Sequence, residues 1–265
     1  MHFPAKSEHV VAFSLVIAML SVPARGSQIA NDGFAPSFPI YANSGSGFGG
    51  AWAQGGFNAF ASGYVSNDRS LCYPQLETSG GSVSGAAFDA INGTVRPLAR
   101  FLGSNGTTAY LSFLIQPNGT LNDGIFDGFF GVTLNGSAGN DVFVGKPGGG
   151  AEERYVIENR GGAGQIPSLV TPVVGRTTLL VVKVQFLAGN DLFTLYVNPT
   201  PGRPEPSSTI VKSDVDLGVV SKIGIYSTGA FTVDEIRIGT TFADVTPQQE
   251  KGSANHSEGC LEDAQ

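Results

Sequence analysis

The 265-residue chain is short of the residues on which most protein chemistry runs. It holds three histidines: His2 and His9 at the extreme N-terminus and His256 near the C-terminus. The central part has none. A Ser-His-Asp or Cys-His nucleophile in its usual form is thereby excluded, because no imidazole is there to take the proton. A histidine-ligated zinc site falls with it. No glycine-rich strand-to-helix loop with a following Lys-Ser or Lys-Thr occurs, which removes the common phosphate cradle; the GGG at 148–150 lacks that Lys. Cysteine is reduced to Cys72 and Cys260, and the sequence leaves open whether they pair. Charged residues make up 14% of the chain, well under the roughly 25% of an ordinary soluble domain. The balance is acidic, with net charge −7. That excludes a nucleic-acid partner, whose phosphates require a basic footprint.

The one long apolar run, VVAFSLVIAML at residues 10–20, is about 11 residues long. That is too short for a membrane span, which takes about 20. It suits the core of a secretory signal peptide, with Lys6 before it, Pro23 after it, and small residues Ala24 and Gly26 at the −3 and −1 positions of a cut before Ser27. The expected mature protein is secreted or extracellular, with no transmembrane segment. Losing Lys6 and Arg25 against one acid, Glu8, leaves it slightly more acidic than the whole. The expected organisation is a signal peptide over 1–26, one domain over 27–248, and a polar tail over 249–265.

What the domain does contain is glycine, 37 in all, and short alternating segments. In TTLLVVKVQFL (177–187), Leu180, Val182, Val184 and Phe186 share one face. Leu179 and Val181 on the other make this a central strand, apolar on both sides at one end. DLFTLYVNP (191–199) alternates likewise, and AGND (188–191) joins the two as a hairpin turn. A second AGND at 138–141 joins GFFGVTLNG to DVFVGK. TTFADV (240–245) predicts a helical turn capped by Thr240 or Thr241. PTPGRPEPSS (199–208) reads as a surface loop. About a dozen strands result, which predicts an all-β antiparallel sandwich.

The stretches YLSFLIQPNG, VFVGK, TLLVVKVQF, FTLYVNPTPG and DEIRIGTTFADVTP, in this order, resemble secreted bacterial proteins with a concanavalin A-like, LamG-type jelly roll. The resemblance implies that fold. It also implies binding of a glycan, such as an extracellular polysaccharide, or of a surface protein. A structural calcium ion is common in such domains; here it would use Asp32, from the NDGF segment, and Asp234 in the last strand, since calcium collects six to eight oxygens. Relatives that stay on the cell often end in a sorting tail, and this chain has no such ending.

In DEIRIG (234–239), strand alternation places Asp234 with Ile236 and Ile238, and Glu235 with Arg237. Adjacent acids on opposite faces cannot flank one bond, so a catalytic pair is excluded there. Glu235 and Arg237 are expected to form an outward-facing pair of little energetic weight. EERYVIE (152–158) puts Glu152 and Glu158 on one parity but lacks the central Asp of jelly-roll glucanases. Sugar recognition calls for aromatic rings beside planar polar groups. Tyr41 and Trp52, the only tryptophan, lie among glycines; Tyr155, Asn159 and Arg160 precede a flexible loop. The expected ligand set is Trp52, Tyr155, Asn159 and Arg160. The leading reading is a non-catalytic carbohydrate- or surface-binding jelly roll. A carboxylate-dependent glycan-cleaving enzyme and a structural matrix or assembly protein are the alternatives.

Overall fold

The computed structural model describes residues 26–36, 43–55, 64–137, 139–150, 152–208 and 210–249. Residues 1–25 of the expected signal peptide, Tyr41, Cys260 and nearly all of the expected polar tail lie outside them. The described residues form fifteen strands: β1 (Gln28–Asp32), β2 (Ala53–Gln54), β3 (Tyr64–Asn67), β4 (Ser82–Gly85), β5 (Asn92–Leu102), β6 (Thr108–Pro117), β7 (Phe130–Gly136), β8 (Asp141–Lys146), β9 (Val156–Asn159), β10 (Ala163–Pro167), β11 (Thr178–Gln185), β12 (Leu192–Val197), β13 (Val211–Lys212), β14 (Val220–Ser227) and β15 (Phe231–Gly239). Two single turns, α1 (Ile125–Gly128) and α2 (Phe242–Val245), complete them. No described helix is long and apolar enough to cross a membrane.

The strands make the expected all-β antiparallel sandwich. One sheet runs β13-β12-β11-β6-β15-β4-β3, with β1 also on β15; the other runs β10-β9-β8-β7-β14-β5-β2. AGND at 188–191 joins the paired strands β11 and β12, and the described residues of the other, 139–141, link the paired strands β7 and β8. The inward residues of β6, Leu111, Phe113 and Ile115, meet Val132, Leu134, Ile223 and Ile225 of the facing sheet in the main core. A second apolar cluster lies on the outer face of the first sheet. There Tyr110, Leu114, Leu179, Val181 and Tyr196 are covered by Leu76 and by Phe242 and Val245 of α2. This extra layer explains why β11 is apolar on both sides. Thr241 caps α2 in a reciprocal box with Asp244, as the sequence predicts.

The reading of β15 needs correction. Between Asp234 and Arg237 the strand gains one residue against β6, and Glu235 takes a left-handed φ of 52°. Such a bulge shifts every later side chain by one position. Val233 and Ile236 therefore both face the core, while Asp234, opposite Leu114, faces outward. Outward does not mean exposed. Asp234 is fully buried, and Glu235 and Arg237 are 1% and 4% exposed. They hold down the segment 70–79. Asp234 accepts from Ser70 Oγ (2.5 Å) and the Leu71 amide (2.8 Å). Glu235 accepts from the Ser79 amide and from Arg237 Nη2, which also donates to the Glu77 carbonyl. The expected weak surface pair is instead a buried ion pair. Within the same segment Cys72 is disulfide-bonded.

Candidate functional site

The polar residues split between two places. The first is a buried network at the N-terminal strand. Asp32 sits on the core face of β1, opposite Ile236. Its Oδ1 accepts from the Phe34 amide (3.0 Å) and Ser44 Oγ (2.8 Å), and its Oδ2 from Trp52 Nε1 (2.8 Å) and Arg96 Nη1. Arg96 lies over the Phe48 ring at 4.0 Å and also donates to Gly50 O and Asn43 Oδ1. A calcium shared by Asp32 and Asp234 does not fit this arrangement. Four donors fill the Asp32 carboxylate, one of them a guanidinium that already neutralises it. Asp234 lies on the other side of the sheet, its oxygens taken by Ser70, Leu71 and the Glu235 amide. Among the described residues, no three His, Cys, Asp or Glu side chains gather as a metal site.

Trp52, expected to touch ligand, is 2% exposed and stacked on Phe34. Burying its large ring and satisfying its N–H on Asp32 fixes it as a core residue. Tyr155 is also fully buried, in the main core, its hydroxyl beside Thr178 but short of a well-formed hydrogen bond; burial pushes that hydroxyl up to about 12, against a smaller lowering effect of Thr178. Asn159 points to the opposite side of its strand from its neighbours Glu158 and Arg160. It lies opposite Val142, with Nδ2 3.5 Å from Asp214 and Oδ1 buried without a partner. Of the four expected ligand residues, Trp52 and Tyr155 are buried, and only Asn159 and Arg160 are partly exposed, on opposite faces of the sheet.

Arg160 lies on the outer face of the seven-stranded sheet, where its side chain is 24% exposed and that of Asp141 11%, while Thr133, Asn135, Phe143, Glu158 and Tyr226 beneath and beside them are buried. Parity along β7, β8, β9 and β14 puts Thr133, Asn135, Asp141, Phe143, Glu158 and Tyr226 there. Arg160 Nη1 donates to Asp141 Oδ2 (2.8 Å), and its Cζ lies 4.6 Å from the centre of the Tyr226 ring. Asp141 is itself held by Asn135 Nδ2 (2.9 Å) and the Gly136 amide (3.1 Å). Asn135 in turn accepts from Thr133 Oγ1 (3.0 Å). A planar cation, pinned at one edge and stacked on one face, loses little freedom when it binds further acceptors. Glycine makes this floor. A Cβ at Gly131 would meet the Phe143 ring at 2.7 Å, and one at Gly224 the Tyr226 ring at 2.5 Å. Without those side chains both rings can lie down on the sheet. Beside them Gln165 Nε2 donates to Glu158 Oε2 (2.6 Å). Burial raises the Glu158 carboxyl above the usual carboxylate range, against smaller lowering effects of Gln165 and Lys212.

Glu152, paired in the sequence with Glu158, sits outside β9 and binds Arg154 in a local loop. Asp141 and Tyr226 were hidden in the sequence. Asp141 reads as a turn residue, and Tyr226 lies 66 positions from Arg160. The only signal was parity, since Glu158 and Arg160 share a face. A groove of about 540 Å³ also lies at the far edge of the other sheet, between the 168–170 loop and the Pro-rich loop. That loop is fastened by Glu205, which accepts from Tyr110, Tyr196 and Lys183.

No family model and no curated protein matches the sequence. Solved structures share its architecture at low identity. The endo-1,3-beta-glucanase from Streptomyces sioyaensis is 8% identical over 83% of this chain and 98% of that one, with a TM-score of 0.47. The T. cruzi calreticulin globular domain is 11% identical over 71% and 87%, at 0.44. The Emp47p carbohydrate recognition domain is 10% identical over 70% and 92%, at 0.39. The three differ in what their names say they do, and none argues for a function here. The strand order itself shows the two-sheet antiparallel β-sandwich expected from the sequence.

Proposed function

We propose that the protein is a secreted, non-catalytic jelly roll that binds an extracellular polysaccharide on the outer face of its seven-stranded sheet. One observation carries this reading: Arg160, fixed by Asp141 and stacked on Tyr226, beside the Glu158–Gln165 pair. Guanidinium, amide and carboxyl groups on a shared face suit the vicinal hydroxyls of a sugar, which both donate and accept. The apolar run at 10–20 supports export. The test is a glycan-array screen of the mature chain, with calcium and again with a chelator, beside Arg160→Met. Binding that survives chelation and falls in R160M is the expected result. Unchanged binding in R160M removes this face from the reading. Silence of the wild type across a broad array moves the protein to the structural or protein-binding alternative.

A second reading, glycan cleavage, has one observation in its favour. Glu158 is opposite Phe143, so Asp141 is its diagonal neighbour on the same face. Such neighbours lie roughly 7–8 Å apart, somewhat less between Cβ atoms, within the range of the carboxyl separations of about 5–9.5 Å in glycosidases. A raised Glu158 would be the acid. Against it, Asp141 is held by three donors and has little left for a substrate. Release of reducing ends by the wild type and its loss in Glu158→Gln would establish cleavage.

A further inference from the structure

The turn α1 is left-handed. Phe126 (φ 54°, ψ 37°) and Asp127 (φ 55°, ψ 38°) occupy a region that residues with a Cβ avoid, between Gly124 (φ 101°) and Gly128 (φ 62°). The surroundings leave the turn no alternative. The Ile125 amide donates to Phe88 O (3.4 Å), and Ile125 O accepts from Thr228 Oγ1 (2.6 Å). Phe126 O accepts from the Gly149 amide (3.1 Å). Asp127 O accepts from Lys146 Nζ (2.6 Å), an ammonium that is itself buried and whose other acceptor is Pro147 O. Strain this well braced is kept where it serves a site.

What the turn achieves is the display of an aromatic ring. Phe126 is 60% exposed, and Phe88, joined to the turn through its carbonyl, is 44% exposed. Both rings are therefore free to stack against a ligand, which would bury apolar surface that folding leaves in water. Polar groups flank the pair. The Asp127 carboxylate lies against Gly150, and a Cβ on Gly149 would meet nothing within 4 Å, so this backbone is open to an approaching ligand. The turn also continues the outer face described above. It leads directly into Phe129, whose ring packs edge-on at 6.1 Å against Phe143 on that face. From Asn135 to Phe129 along β7 is six residues, about 20 Å of strand, or several sugar rings.

We infer that Phe88 and Phe126 form a distal stacking subsite and that the ligand is a linear polysaccharide lying along β7. This rests on the reading of the sheet face as a glycan site. A pyranose offers an apolar C–H face to a ring and a rim of hydroxyls to Asp127 and the open backbone at Gly149. Two exposed rings on neighbouring segments, beyond the end of β7 remote from Asn135, suit an internal stretch of polymer rather than a chain end.

The test is affinity electrophoresis and calorimetry with soluble linear polysaccharides (laminarin, alginate, hydroxyethyl cellulose) and with their disaccharides and octasaccharides. The wild-type mature chain is compared with Phe88→Ala, Phe126→Ala and Arg160→Met. Expected is a loss of about tenfold or more in polymer and octasaccharide affinity in F88A and F126A, with the disaccharide unaffected, and a loss for both lengths in R160M. Thermal unfolding confirms that F126A folds; F88A, at an unstrained position, is the safeguard if it does not. Polymer binding unchanged in both Phe variants while R160M fails overturns the distal subsite and leaves the sheet-face reading intact. Polymer binding lost in the Phe variants but kept in R160M overturns the sheet-face reading and leaves the ring pair as the site. A wild type that binds no glycan overturns both.

Discussion

Replacing Asp234 by Asn should change how stability depends on pH. Asp234 is buried beneath the 70–79 segment, and burial raises its carboxyl well above its ordinary 3.8, with the nearby Glu235 adding to the rise. Donors from Ser70, Leu71 and Glu235 offset only part of this. The sign follows from proton counting. Between pH 3.8 and the raised native value, the folded state holds a proton that the unfolded state has lost, so stability falls as pH rises through that window. Each such proton is worth about 1.4 kcal/mol per pH unit. For a domain of this size that is roughly 3–6 °C per pH unit in the midpoint. Glu235 and Glu158 are also raised, chiefly by burial, and act in the same direction. Glu152 and Glu205 are lowered and act in the opposite sense, as pH falls below 4.5. Asn resembles the protonated acid in shape, so D234N should match the wild type near pH 4 and become relatively more stable toward pH 7. Thermal unfolding of both proteins at half-unit steps between these limits measures the difference. Parallel profiles, or a wild type that gains on D234N as pH rises, would show that the three donors outweigh burial and would refute the argument.

Two further substitutions probe the buried polar groups. Arg96→Met leaves the Asp32 carboxylate in the core without its cation and should cost about 3–5 kcal/mol in chemical denaturation; a loss below 1 kcal/mol would mean that Trp52, Ser44 and the Phe34 amide suffice for Asp32. Tyr155→Phe removes a buried hydroxyl that makes no well-formed hydrogen bond, so stability should stay level or rise by about 1 kcal/mol; a clear loss would show that its contact with Thr178 is a stabilising hydrogen bond.

How much of this was legible depended on distance along the chain. β11, β12, the AGND turn at 188–191 and the Thr241 cap are local patterns, set by side-chain alternation, turn chemistry and hydrogen bonds a few residues long. The site residues were not. Trp52 read as an exposed platform because the Asp32 and Arg96 that enclose it come from other strands. Glu235 and Arg237 read as a surface pair because no sequence rule announces a bulge or the 70–79 segment that covers them. Arg160 was found, but the ring beneath it and the carboxylate beside it were not.

By itself the sequence determined the class of fold and the kinds of chemistry available. Alternation with period two commits the chain to strands, and a domain without histidine forgoes imidazole catalysis whatever its shape. Tertiary structure decided which polar residues meet. One inserted residue in β15 turned Asp234 away from Asp32, and the stacking of β7, β8, β9 and β14 brought Arg160 to Asp141 and Tyr226. Those outcomes depend on register and cross-strand pairing, which are settled by packing of the whole sandwich and not by any single segment.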